Sequence, residues 1–358
     1  MVYFDAPIRV FDPHSGPASA LSWLMWLIFA IALVVVLGVS FMLIWSSLKF
    51  RHRTNSGDDG EPRQVSGNFK IEVAWTAAPA VLLIALFVPT IIAMNDSDPV
   101  VAVNSQPSVE IVGHQWWWEY RYFDNTGKVL ADTANVMYMP TGNKKFLAKL
   151  TSQDVIHDWW VPQIARKMDN NPGQANYEYI QADDAGVYHG FCAEFCGVQH
   201  AFMQISVHAL PQAEFDAWLK QQGQASQSIV NGNVVPTTAP VPTAPNATPA
   251  AQDVASTDTL AKGKQVFLNN TCVTCHAISG TAANYANVGP NLSHIGSREV
   301  LGAGALDAPQ DDQKTAIENM AKWVRNPNDF KPGVHMPAYV QLSDADLNNL
   351  AAYLESLK

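Results

Sequence analysis

Charged positions vanish twice near the N-terminus, across residues 20–45 and again across residues 74–94. About 20 apolar residues cross a bilayer core as helix, so each run predicts a membrane span. Trp23, Trp26 and Trp45 fall where interfacial aromatics belong. Pro79 and Pro89 interrupt the second run, which membrane helices tolerate better than soluble ones. Residues 1–97 thus read as an N-terminal tail and a transmembrane helical hairpin.

The pattern then changes. SVEIVGHQWWWEYRYF, KKFLAKLTS, ANYEYIQA and MQISVHAL alternate apolar with polar positions and are rich in β-branched and aromatic residues, so all read as strands. Short strands at this spacing predict an antiparallel β-sandwich or barrel over residues 98–222, closed by a short helix in PQAEFDAWLKQQ. Residues 223–256, rich in Pro, Ala, Thr and Asn, cannot bury a core and read as a semi-extended linker. From 257 to 358, TLAKGKQVFLNN, KTAIENMAKWVRNP and SDADLNNLAAYLESLK return to apolar spacings of three and four, an all-α domain. Ser343 with Asp346 three residues on is close to a capping box for the last helix.

Charge sets the expected orientation. The loop between the spans carries Lys49, Arg51, Arg53, Arg63 and Lys70, whereas the tail before the first span carries Arg9 alone. The positive-inside rule puts that loop in the cytoplasm and both termini on the periplasmic or outer side of a bacterial cell membrane. No cleavable signal precedes the first span in the sequence as it stands. The net charge of −10 argues against a nucleic-acid partner and suits a basic protein partner better.

The four cysteines form two close pairs, Cys192/Cys196 and Cys272/Cys275, which look more like two cofactor sites than a disulfide framework. In an oxidising compartment the first pair could still become a disulfide. However, His200 and Met203 follow it in C-x-E-x-C-x3-H-x2-M, and His157 lies upstream in DVIHDWWVP. Two thiolates, two imidazoles and a thioether select copper over calcium or magnesium, and a plain zinc site would not usually recruit a methionine. In the second pair, Cys272-Val-Thr-Cys275-His276 is the attachment signature of c-type haem. A methionine as sixth ligand would raise the potential, and Met336 in KPGVHMPAYV offers one, with His335 a weaker competitor and Met320 a core residue.

The copper stretch resembles subunit II of haem–copper cytochrome c oxidases, and residues from about 15 to 220 share the resemblance through GHQW, HDWWVP, NPG and GVYHGFCAEFCG. It implies a cupredoxin-like domain holding a binuclear copper (CuA) centre, with Cys192 and Cys196 bridging and His157, His200, Met203 and the Glu194 carbonyl completing it. The Glu194 side chain would serve a magnesium site shared with subunit I. GHQWWWEYRY resembles the family's aromatic segment; as a strand it sets Trp116, Trp118, Tyr120 and Tyr122 on one face and Trp117 on the other. Trp116 matches the family's surface aromatic where electrons arrive from the donor. EVAWTAAP matches E-x-x-W-T-x-x-P, which would set Glu72 at the mouth of a proton channel into subunit I, although an acid at a helix N-terminus also suits the helix dipole. Asp158 stands where the family commonly has Ser or Thr, and a carboxylate there could tune the site's potential. The C-terminal domain resembles a class I cytochrome c, in which VGPNLSHIGSR packs on the haem and its propionates through Pro290 and Arg298.

The resemblance therefore implies a fused subunit II of a caa3-type oxidase. It would sit in the membrane lipid with subunits I and III, take electrons from a cytochrome c or a quinol-oxidising complex, and pass them through haem c and CuA to proton-pumping oxygen reduction in subunit I. Its linker would keep the cytochrome at high effective concentration near the copper. The rival readings are a membrane-anchored carrier or redox sensor without an oxidase partner, a copper-less quinol oxidase subunit, and a copper reductase of nitrogen oxides. The intact ligand set weighs against the second, and the chain length against the third.

Overall fold

A computed structural model of the chain describes residues 8–51, 64, 66–97, 105–142, 145–224, 257–283 and 288–358. The loop arginines Arg53 and Arg63 and nearly all of the linker lie outside the described residues.

Two helices, α1 (Gly16–Lys49) and α2 (Phe69–Ser97), are long and apolar enough to cross a membrane. Ser15 starts α1 by accepting the Ala18 amide on its hydroxyl at 3.1 Å, and the Asn68 side chain accepts the Lys70 amide at the start of α2 at 3.1 Å. Each satisfies a donor that the first turn leaves open. Most apolar side chains between these caps face outward, as expected of helices whose surroundings are lipid.

The β domain is a sandwich of two five-stranded sheets. The first runs in the order β3 (Val129–Ala134), β2 (Trp117–Phe123), β1 (Val109–His114), β5 (Phe146–Ser152), β8 (Asn176–Ile180). The second runs β4 (Val136–Pro140), β10 (Gln204–Leu210), β9 (Gly186–Cys192), β6 (His157–Trp160), β7 (Met168–Asn170). Pairing is antiparallel except for β1 with β5 and β4 with β10, so each sheet carries one parallel pair that a purely antiparallel reading lacks. Between the members of each parallel pair the chain visits the other sheet and returns in the same direction, which a hairpin cannot do.

SVEIVGHQWWWEYRYF is two strands and not one: His114 pairs with Trp117 across a tight turn at Gln115-Trp116. Trp118, Tyr120 and Tyr122 keep the predicted shared face and are fully buried, but Trp116 leaves the strand for the turn. Helix α3 (Gln212–Gln222) lays Phe215 and Trp218 against this core, with Trp218 stacked on Tyr138 at 4.3 Å and edge-on to Tyr122 at 5.1 Å. Aromatic pairs of this kind add about 0.5–1.5 kcal/mol each beyond area burial.

The C-terminal domain packs α4 (Thr257–Asn269), α5 (Gln313–Arg325) and α6 (Asp344–Glu355) through Phe267, Met320, Leu350 and Tyr353. Ser343 caps α6 as its spacing predicts, accepting the Asp346 amide at 3.1 Å. The all-α expectation misses one detail, a hairpin of two-residue strands β11 (Val300–Leu301) and β12 (Leu306–Asp307).

Candidate electron-transfer sites

The first site grows from the seam between β6 and β9. Pairing of Trp159 with Cys192 brings His157, the first residue of β6, beside the end of β9. The loop from Cys192 to Met203 then turns back on itself, pinned by the Cys192 amide donating to the Met203 carbonyl at 3.0 Å. Gly197 takes φ +121 in this loop, and a side chain there would meet the Trp116 ring at 2.9 Å, so the loop needs glycine twice over.

All the donors expected from the sequence converge. The thiols of Cys192 and Cys196 lie 3.8 Å apart, far beyond the roughly 2.05 Å of a disulfide bond. His157 Nδ1 lies 3.9 Å from Cys192 Sγ, His200 Nδ1 3.6 Å from Cys196 Sγ, and Met203 Sδ 3.9 Å from Cys196 Sγ. The Glu194 carbonyl lies 3.2 Å from Cys192 Sγ. Such separations suit soft donors that share ions at about 2.0–2.3 Å, so the cage fits a thiophilic transition metal. His157, Met203 and both cysteines are buried, whereas the Glu194 side chain is exposed.

The cage is electrostatically prepared. The Cys192 thiol is pushed down to about 4, first by its hydrogen bond with Cys196 and then, against burial, by His157 and backbone amides, while the Cys196 thiol is pushed up by the same shared bond. Because only a thiolate ligates a metal, a metal held by both sulfurs would displace the proton that remains on Cys196. Burial works to lower the His157 imidazolium, but hydrogen bonds to Asp154 and Cys192 outweigh it and raise its pKa. Asp154 Oδ1 holds His157 Nε2 at 2.9 Å, which fixes Nδ1 toward the thiols. Asp154 is absent from the donor set expected from the motif, although a carboxylate three residues before a ligand histidine is a usable signal. Asp158 is buried beside Asp169, and burial followed by that neighbour raises its carboxyl to about 7.

The second site is an apolar cavity lined chiefly by the C-terminal domain, through Cys272, Cys275, His276, Pro290, Arg298 and Met336 among others, and closed on one side by Trp116 and Trp117 of the β domain. His276 Nδ1 faces the Pro290 carbonyl at 2.8 Å, which orients the ring, and burial lowers the imidazole pKa so that it stays neutral, as a metal ligand must. A Cβ at Gly289 would meet His276 Cε1 at 2.6 Å, so only glycine allows the ring its place. The buried Arg298 donates to the Asn291 carbonyl but leaves its Nε without a partner among the described residues, at the wall of the cavity. Two thiols, a neutral histidine, a methionine and an unsatisfied guanidinium fit a covalently held haem with anionic side groups. Met320 is 2 % exposed in the core, as expected.

One expectation is corrected. Trp116 is not a surface aromatic: it is 6 % exposed, because the C-terminal domain covers it. Its indole Nε1 donates to the Cys196 carbonyl at 3.0 Å, and its ring lies 4.9 Å from that of His335, the neighbour of Met336. The turn therefore stands between the two sites. Glu72 lies in the first turn of α2, where its carboxylate accepts the Asn68 amide at 3.1 Å, the capping use of an acid at a helix start. His14, His114, His189, His208 and His294 join neither donor cluster; His114, for one, pairs with Glu119 at 2.9 Å.

Three family models match along the chain: the transmembrane domain of cytochrome c oxidase subunit II over residues 8–92, its periplasmic domain over 125–210, and cytochrome c over 260–358. The cytochrome c oxidase subunit 2 of Alkalihalophilus pseudofirmus is 36 % identical over 93 % of this chain and 84 % of its own. That of Bacillus sp. PS3 is 32 % identical over 86 % of this chain and 80 % of its own. The crystal structure of the periplasmic domain of subunit II of cytochrome oxidase from Bradyrhizobium japonicum is 30 % identical, covering 34 % of this chain and 96 % of that domain at a TM-score of 0.31.

Proposed function

The chain belongs to the cytochrome c oxidase subunit II family, with a cytochrome c domain fused at its C-terminal end, and from that premise we propose how its residues carry electrons from a donor to the oxidase core. It is a two-span membrane subunit of a haem–copper terminal oxidase, hence part of an oxidoreductase, and its domains imply copper and haem c. When bound, these groups supply one-electron redox chemistry.

The finer reading gives each residue a task. Cys192 and Cys196, with His157, His200, Met203 and the Glu194 carbonyl, would hold a binuclear copper centre and let it accept and release one electron. The exposed Glu194 carboxylate is free to join a magnesium site shared with subunit I. Cys272 and Cys275 would hold the haem covalently, His276 and Met336 would ligate its iron, the Pro290 carbonyl orients His276, and Arg298 would meet the anionic side groups. Trp116 couples the cytochrome side to the copper side through its bond to Cys196. Glu72 stands at the mouth of a proton channel into subunit I. The soluble domains face the periplasmic or outer side, subunit III completes the core, and a cytochrome c or a quinol-oxidising complex is the donor. The functional division is 1–97, 98–222, 223–256 and 257–358.

One observation carries this reading: two imidazoles, a thioether and a carbonyl, four donors in all, gathered around two free thiols 3.8 Å apart. A rigid β framework holds them, so the donors move little when charge arrives or leaves. Metal analysis, electron paramagnetic resonance and an absorption spectrum on the purified protein test it. About two coppers per haem with a mixed-valence copper signal is the expected result. Haem without copper, together with a Cys192–Cys196 disulfide, would overturn it.

A further inference from the structure

At the seam between the copper domain and the cytochrome domain a lysine lines the edge of the apolar cavity without being one of its expected ligands. Lys331 opens the loop that ends in Met336 and is 2 % exposed. Its ammonium donates to the Trp116 carbonyl at 2.8 Å and to the Gly302 carbonyl at 3.2 Å, one acceptor in each domain. No carboxylate among the described residues pairs with it. A buried ammonium held by carbonyls alone is costly, and burial pulls its pKa down to about 7. Such a group persists where the carbonyls it satisfies would otherwise be stranded at a dry seam.

Its neighbours show what the seam joins. Gln199, beside the expected copper ligand His200, donates its side-chain amide to the Pro332 carbonyl, and Val198 packs against Gly333. His335 lies on Trp116. The loop that would present the haem's methionine therefore rests directly on the loop that would hold copper. Three lesser contacts flank this one: Asn291 with Asp132 at 3.4 Å, Glu299 with His208 at 3.7 Å, and His294 with the Gln224 carbonyl at 3.2 Å.

We infer that Lys331 is the latch of a pre-docked electron-transfer pair: by holding the Trp116 turn to the methionine loop it fixes the cytochrome domain on the copper domain, so that one electron passes within a standing complex and not after each diffusional encounter. Lys331 is a positioning residue acting through Trp116. The transfer would move one electron from a reduced haem to an oxidised copper pair, with no proton required. The inference rests on the function proposed above.

The test uses the full-length protein with both cofactors bound and a specific protease site placed within residues 226–256. In the unaltered chain, cleavage is expected to leave the cytochrome domain bound on gel filtration, and flash-initiated transfer from haem to copper stays first order, independent of concentration. Lys331→Met removes both bonds while filling the space of the stem. It should weaken retention at least about tenfold and turn transfer after cleavage into a second-order process. The haem bands and copper resonance should be unchanged. Lys331→Arg, which keeps a charged donor, should restore retention. Full retention and first-order transfer in Lys331→Met would overturn the latch. Altered haem bands in that variant would overturn it too, by making Lys331 a structural part of the cytochrome. Copper and haem content of the same samples separates failure of the latch from failure of the underlying reading.

Discussion

The indole N–H of Trp116 donates to the main-chain carbonyl of Cys196 across 3.0 Å, which ties the ring under the cytochrome domain to the backbone of an expected copper-bridging residue. Gln115 donates to the same carbonyl at 2.8 Å, so the turn between β1 and β2 grips the ligand loop with two side chains. Across the domain seam the same turn meets the His335 ring at 4.9 Å and the Lys331 ammonium at 2.8 Å.

Replacing Trp116 with Phe keeps an aromatic ring but removes that donor. A lost hydrogen bond of about 1–1.5 kcal/mol, felt in the transfer barrier, corresponds to roughly tenfold slower delivery to copper. Flash-initiated transfer measures the rate, and the copper resonance should stay intact because no ligand changes. Transfer at the unaltered rate would show that the indole donor is not on the route.

Asp154 reaches both the His157 ring at 2.9 Å and the Gln115 amide at 2.7 Å. Partners that orient a metal-bound histidine typically contribute 10–100-fold in affinity. Asp154→Asn should weaken copper retention by about that factor against a competing chelator and perturb the Gln115-Trp116 turn as well. Copper titration of the variant checks this, with unchanged retention counting against the orienting role.

The sequence makes the cofactor sites legible because each is written in close spacing: C-x-E-x-C-x3-H-x2-M, C-x-x-C-H and the M-P of the distant loop. What holds the Gln115-Trp116 turn was not legible. It has no Gly, Pro, Asn or Asp, and its polar groups are satisfied by Asp154 and Lys331, which lie far along the chain. A turn stabilised this way gives no local signal, so two strands read as one. The covering of Trp116 and the parallel pairs β1/β5 and β4/β10 escaped for the same reason, since both depend on which distant segments meet. Caps such as Ser343 depend on three-residue spacing and were readable.

Gly289 carries a local prediction. A methyl group there would sit 2.6 Å from His276 Cε1, and the ring cannot retreat without losing the Pro290 carbonyl. Gly289→Ala should therefore cost about 1–3 kcal/mol of domain stability and lower covalent haem incorporation. Haem content and thermal unfolding followed in the Soret band report the two effects, and wild-type values for both would show that the ring can shift.

Glu355 predicts a pH dependence. It is 1 % exposed, and burial outweighs its 3.3 Å ion pair with Lys358 and raises its carboxyl from 4.5 to about 7. The folded state then keeps a proton that the unfolded chain releases, so stability falls as pH rises through this window. Below about 4.5 both states are protonated and the effect vanishes; above about 7 it is complete, and a displacement of this size corresponds to about 3 kcal/mol. Glu355→Gln removes the titration, so the variant's cytochrome domain should gain on the unaltered one between about pH 5 and pH 8. Denaturant unfolding followed at the haem band across that range measures it. Parallel stability profiles for the two proteins would mean that Glu355 titrates normally and that its ion pair with Lys358 prevails over burial.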